Sequence, residues 1–225
     1  MRKRLPLAPI VVALLVVLLV ATLVYFNATT SSATGSTSST TDYPGAIWMP
    51  ANPNNYSSSN RTEIYWIVMH VAEGSALSAA NWFQNPNAKA SAHYIVGYDG
   101  TIYQSVREKD IAWHAGNRKY NLYAIGIELE GYTYKGDFTD AEYKAAAKLV
   151  AYLCKKYNVP IYHPDGVAPA DPTQGKGIIG HIQVPDPYNP SIGGGASHHT
   201  DPGPYFNWNY FLNLVKQYYY RGEGS

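Results

Sequence analysis

Residues 64–70 read Ile-Tyr-Trp-Ile-Val-Met-His. Six β-branched, aromatic or long apolar side chains follow one another with no polar position between them. That pattern fits a strand covered on both faces, because a half-exposed strand would alternate. A histidine stands at its carboxyl end. In sheets flanked by helices, ligands gather outside the carboxyl ends of the strands, so His70 is a candidate site residue from position alone.

Outward from this strand, Ser75 can cap a helix running to about Asn85. His93–Tyr98 and Thr101–Val106 flank Asp99-Gly100, a hairpin signal. Residues 124–130, Ala-Ile-Gly-Ile-Glu-Leu-Glu, read as a second strand, with Glu128 and Glu130 on one face and Ile127 and Leu129 on the other. Thr139 and Glu142 form a capping box. Tyr143, Ala146, Val150, Leu153 and Tyr157 then recur at helical spacing up to Asn158-Val159-Pro160. Ile178 and Ile179 form a short strand leading into His181, and Phe206–Tyr220 reads as a closing helix. Alternating strands and helices predict an α/β fold, a central mixed β-sheet with helices on both faces, in a single domain.

The N-terminus has a different character. Arg2, Lys3 and Arg4 precede an apolar run from Leu5 to Phe26, about 20 residues, which is long enough to span a bilayer and has no convincing small-residue cleavage site after it. Residues 1–26 are therefore expected to be a signal or transmembrane anchor segment. The basic flank keeps the start of the chain cytoplasmic and puts the rest outside. The protein is expected at the outer face of the membrane, or secreted if the segment is cleaved. Residues 27–60 are expected to be a linker and lead-in whose first part is rich in Ser and Thr, and 61–220 a domain large enough for a substantial core.

Charge excludes one class of partner. The chain carries 17 Lys and Arg against 16 Asp and Glu. Without the three N-terminal basic residues, 14 remain against 16, a net charge near −2 with no basic run, so no nucleic-acid partner is expected. The single cysteine, Cys154, allows no internal disulfide and sits at an apolar position of the long helix, as a buried small hydrophobe would.

Seven histidines are present, and two of them, His198 and His199, adjoin Thr200-Asp201-Pro202-Gly203-Pro204 after a run of three glycines. Glycine and proline make this stretch a loop, and loops carry sites. A catalytic zinc site takes three protein ligands and leaves a fourth position open. Two strand-end histidines, His70 and His181, together with Asp201 fit that requirement.

The ordered motifs resemble the type 2 family of zinc amidases that cleave N-acetylmuramoyl-L-alanine in peptidoglycan, whose fold peptidoglycan recognition proteins share. The resemblance runs from about Ile64 to Trp208. It is carried by Ile-Val-Met-His70, Ser-Ala-His93-Tyr, Asp-Gly-Thr-Ile-Tyr-Gln104, Ala-Trp-His114-Ala-Gly, Ile-Gly-Ile-Glu128-Leu-Glu-Gly, Gly-His181 and Thr-Asp201-Pro-Gly-Pro-Tyr-Phe. It implies that His70, His181 and Asp201 hold Zn2+, that Glu128 is the acid/base residue, and that His199 donates a hydrogen bond to the developing oxyanion. The neighbouring His198 leaves that last choice open. Trp113, His114 and Asn117 are implied as substrate contacts, His93 as structural, and His163 has no assigned role. The substrate implied is peptidoglycan or a muropeptide, with the membrane contacted through the N-terminal segment and the domain a monomer. The other function to weigh is a recognition module that binds peptidoglycan without cleaving it. Such modules typically lack a zinc ligand, and here all three positions and Glu128 are filled. A zinc peptidase would show a motif such as His-Glu-x-x-His, which this sequence lacks.

Overall fold

A computed structural model of the protein describes residues 41–221. The apolar N-terminal run lies outside the described residues. Among those described, no helix is long and apolar enough to cross a membrane.

The strands are β1 (Ile47–Trp48), β2 (Tyr56–Ser57), β3 (Trp66–Val71), β4 (Tyr94–Val96), β5 (Ile102–Gln104), β6 (Ile111–Ala112), β7 (Ala124–Leu129) and β8 (Gly177–Gly180). The helices are α1 (Ala76–Gln84), α2 (Arg118–Tyr123), α3 (Asp140–Tyr157) and α4 (Trp208–Arg221). Six strands form one sheet in the order β1-β5-β4-β7-β3-β8, and β2 pairs with β6 separately. The pairs β4/β7, β7/β3 and β3/β8 are parallel, whereas β5 runs antiparallel to β4. The sheet is mixed, as expected.

β3 lies inside the sheet between β7 and β8, and all six of its residues are buried. Its odd-numbered side chains, Ile67 and Met69, join Ile125, Ile127 and Ile178 under α3 and α4 in the largest core. Its even-numbered ones, Trp66 and Val68, pack on the opposite face with Ala124, Ile179 and Tyr120 of α2. On that same side Ile95 packs under α1 against Ala76, Ala80 and Phe83. Helices therefore cover both faces, and the period of two in β3 sends His70 to the side away from α3 and α4.

The caps follow the sequence. Ser75 Oγ accepts from Ser78 N at 3.2 Å at the start of α1, and Thr139 Oγ1 accepts from Glu142 N at 3.1 Å at the start of α3. α3 stops at Asn158, whose φ of 52° is left-handed, just ahead of Val159 and Pro160.

Three features differ from the sequence reading. The hairpin strands are shorter than expected, with Val96 opposite Ile102 and Gly100 turning at φ 85°. Residues 47–57, read as part of the lead-in, contribute β1 and β2, two-residue strands too short to leave a periodic signal. α2 is only six residues long and has no glycine cap. The Arg61 guanidinium instead donates to the carbonyls of Asn121 (2.8 Å), Leu122 (2.8 Å) and Ala124 (2.9 Å), which fixes the end of α2 directly before β7.

Candidate metal and catalytic site

The carboxyl ends of three adjacent parallel strands converge on one cleft. His70 is the fifth residue of β3, and Glu128 lies directly opposite it on β7. Parallel partners in register point to the same face, so both side chains project from the sheet together. His181 follows the last residue of β8, where the chain turns into a short 3₁₀ segment. Asp201 arrives from the loop before α4, and its backbone carbonyl accepts from Ile182 N at 3.0 Å, which ties that loop to the end of β8.

His70, His181 and Asp201 are all buried, and their ligand atoms lie within 4.8 Å of one another. His70 Nδ1 stands 3.1 Å from His181 Nδ1 and 3.2 Å from Asp201 Oδ2, and His181 Nδ1 stands 3.3 Å from Asp201 Oδ1. Zinc ligands about 2.0 Å from the ion at tetrahedral angles are separated by about 3.3 Å. Two imidazoles and one carboxylate at this spacing fit a divalent, nitrogen-seeking ion.

The protonation states suit the same group. Burial, then the neighbouring His181, lowers the His70 pKa to about 4, so its ring is neutral at pH 7 and has a lone pair to give. Burial pushes the Asp201 carboxyl up, but hydrogen bonds from His181 and His70 outweigh it and hold the group well below the usual carboxylate range. Two imidazoles and one negative charge, that of Asp201, face a common point. Burial, followed by repulsion from Asp201 and Glu73, pushes Glu128 up to about 8. A carboxyl with that value exchanges its proton near neutrality, and a cation opposite would draw the value down.

Of the adjacent histidines, only His199 reaches the cleft. Its ring stacks on His181 with centroids 4.7 Å apart and planes 13° apart, and its Nδ1 lies 3.8 Å from Asp201 Oδ1. His198 turns away at φ 52°, its Nε2 2.7 Å from Asp186 Oδ2. The glycine run ahead of them is tightly packed. A Cβ on Gly193 would strike the carbonyl of Ile182, one on Gly194 the backbone of His199, and one on Gly195 the carbonyl of Ala115. These glycines permit close backbone approach.

The cleft has a volume of about 630 Å³ and is also lined by Glu73, Trp82, Phe83, Trp113, His114 and Thr133. Trp113 borders it and a neighbouring cavity of about 1120 Å³ that includes Asn117, and Trp113 Nε1 donates to Ser57 Oγ at 3.0 Å. Asn117 spends its amide within the chain. Its Oδ1 caps α2 by accepting from Lys119 N at 3.0 Å, and its Nδ2 donates to Pro185 O at 2.8 Å. His93 is fully buried and its Nδ1 accepts from Gly126 N at 3.0 Å, a structural role as read. His163 stacks on Trp208 at 3.8 Å.

Two cleft residues escaped the sequence reading. Trp82 is half exposed on the outer side of α1, and an aromatic residue off the apolar stripe of an amphipathic helix was the available signal. Glu73, at φ 51°, accepts from Thr133 N at 3.0 Å and from its hydroxyl, bridging the β3 and β7 exits. Nothing in its spacing marks it.

Residues 60–204 match the family model described as N-acetylmuramoyl-L-alanine amidase. N-acetylmuramoyl-L-alanine amidase A of Achromobacter lyticus is 39% identical over 180 residues, covering 77% of this chain and 95% of that protein. The 1,6-anhydro-N-acetylmuramyl-L-alanine amidase AmpD of Haemophilus influenzae is 34% identical over 134 residues, 57% of this chain and 60% of the relative's own length. Among solved structures, a selenomethionine derivative of AmpD superposes with a TM-score of 0.56 at 25% identity over 77% of this chain and 96% of that one. The Staphylococcus aureus hydrolase AmiA, solved with its ligand, has a TM-score of 0.54 at 16% identity over 77% of this chain and 82% of that one, a likeness of fold.

Proposed function

Because the chain belongs to the N-acetylmuramoyl-L-alanine amidase family and is thereby a peptidoglycan amidase, we propose that it is a zinc-dependent hydrolase of the bond between the muramoyl lactyl group and L-alanine. The observation that carries the zinc reading is the meeting of His70, His181 and Asp201 at the spacing of a tetrahedral site. Bound there, zinc supplies Lewis acidity that polarises the substrate carbonyl and lowers the pKa of an attacking water.

The chain's own residues then have distinct tasks. Glu128, beside His70 in register, takes a proton from the water during attack and returns it to the leaving nitrogen, so that the amine departs neutral. His199, its side chain more than half exposed at the cleft rim, donates to the carbonyl oxygen as negative charge gathers there. Charge that exists mainly in the tetrahedral state is where a donor accelerates rather than merely binds. Asp201 provides negative charge beside the two imidazoles. Trp113 and Trp82 offer apolar surface for a sugar or stem peptide.

By the same reading the domain acts outside the cytoplasmic membrane as a monomer, held there or released by its N-terminal segment, where its polymeric substrate lies. The test is mass spectrometry of a defined muramoyl-peptide incubated with the full chain, with zinc and with chelator. Zinc-dependent release of the lactyl acid and a peptide with a free L-Ala amine is expected. Intact substrate in the presence of a zinc-loaded, folded chain would make it a binding module instead.

Replacing His199 should separate its role from that of a ligand. His199→Ala is expected to lower kcat by roughly 10²-fold, the scale of losing one oxyanion donor, with the zinc content unchanged. Loss of the metal on that substitution would show His199 to be a ligand.

A further inference from the structure

His70 has two ring nitrogens, and only one faces Asp201 and His181. The other, Nε2, stands 3.0 Å from Nδ1 of His114, and the two rings meet edge to face at 83° with centroids 5.1 Å apart. His114 is 8% exposed, and its remaining nitrogen, Nε2, is buried with no hydrogen-bond partner among the described residues. A substrate would meet little of its polar surface.

For His70 to present a lone pair at Nδ1, its single ring proton must sit on Nε2. That N–H then points at His114 Nδ1, which must be the accepting nitrogen, so His114 carries its own proton on Nε2. The hydrogen bond fixes the tautomer and the ring plane of His70 at once. Ligating histidines commonly use a carboxylate or carbonyl for this purpose, and here the acceptor is a third imidazole. The other ligand histidine lacks such support, since His181 Nε2 is buried without a partner among the described residues.

The surrounding chain holds the His114 ring in place. Asn121 Oδ1 accepts from the backbone N–H of His114 at 3.1 Å and of Ala115 at 2.8 Å. Beneath the ring lies Gly126 of β7, and a Cβ there would fall among the ring atoms of His114. A glycine inside a strand weakens it, so a close approach by another group accounts for its presence.

We infer that His114 is a positioning residue for the metal, acting through His70 Nε2, and that Gly126 exists to make room for it. The inference rests on the zinc reading above. The experiment is a chelator-competition titration of zinc on the full chain, with circular dichroism checking that each variant is folded. His114→Phe, which keeps a ring and removes the acceptor, is expected to weaken zinc binding 10- to 100-fold. His114→Asn places an amide oxygen near the lost Nδ1 and should restore affinity to near that of the parent. Gly126→Ala, which displaces the ring, should weaken binding as His114→Phe does. Parent-like affinity in His114→Phe would overturn the inference and leave the amidase reading intact, as would an Asn variant as weak as the Phe variant. A parent chain that binds no zinc would overturn both. Nitrogen-15 spectra of the zinc-loaded parent need no variant to fold. They should show His114 protonated at Nε2, and protonation at Nδ1 would overturn the inference.

Discussion

Glu128→Gln is expected to retain a full complement of zinc and to lose turnover by about 10²- to 10⁴-fold, the range that a positioned acid/base group contributes. The substitution keeps shape and removes the ability to take a proton. Glu128 is the one carboxylate that shares both the register and the face of His70, and its environment pushes its pKa up to about 8, where a proton can be gained and lost. The measurement pairs zinc analysis with hydrolysis of a defined muropeptide. Turnover near that of the parent would remove Glu128 from its role and turn attention to Glu73, which with Asp201 is one of the two cleft carboxylates that act on it electrostatically.

Asp201→Ala should give the opposite pattern at the metal. Asp201 is the only anion of the three converging groups, and it also accepts from Val71 N at 3.3 Å. Its loss leaves two imidazoles with no negative charge beside them to balance a dication and strands a buried N–H, the latter alone worth about 1–3 kcal/mol. Zinc affinity is expected to fall well beyond the 10- to 100-fold typical of losing an outer hydrogen-bond partner, and activity should fall with it. A variant that kept stoichiometric zinc after dialysis would show that Asp201 is not a ligand. Together the two substitutions separate holding the metal from moving the proton.

Much of this arrangement was legible because long-range physics left local marks. β3 shows as an unbroken apolar run because both of its faces are covered, and α3 shows as a 3.6-residue period between a Thr139 cap and Asn158. His70, His181 and Asp201 could be singled out by type, by strand-end position and by motif order. β1, β2 and β6 could not, since two residues have no period, and α2 depends on a guanidinium from a distant segment. The choice between His198 and His199 turned on where Asp186 would sit, which is a tertiary fact. The partnership of His114 with His70 was equally hidden. Its one trace in the sequence is Gly126, and a glycine in a strand does not say which ring lies above it.

The ladder between β3 and β7 joins residues 66–71 to 124–129 without a bulge, so His70 and Glu128 are held one interstrand spacing apart, roughly 4.8 Å, by backbone rather than by loops. The reactive pair is therefore insulated from the parts of the molecule most free to vary. Insertions at the 131–137 turn or in the 187–192 segment, outside the packed glycines and His199, can leave that spacing untouched. A one-residue slip would turn Glu128 into the core beneath α3 and abolish the pair altogether. For protein engineering, this makes the domain a chassis with interchangeable rims: specificity can be regrafted at the outer turns, provided β3 and β7 stay as one inseparable cassette together with the end of β8 that carries His181 and the 199–201 stretch.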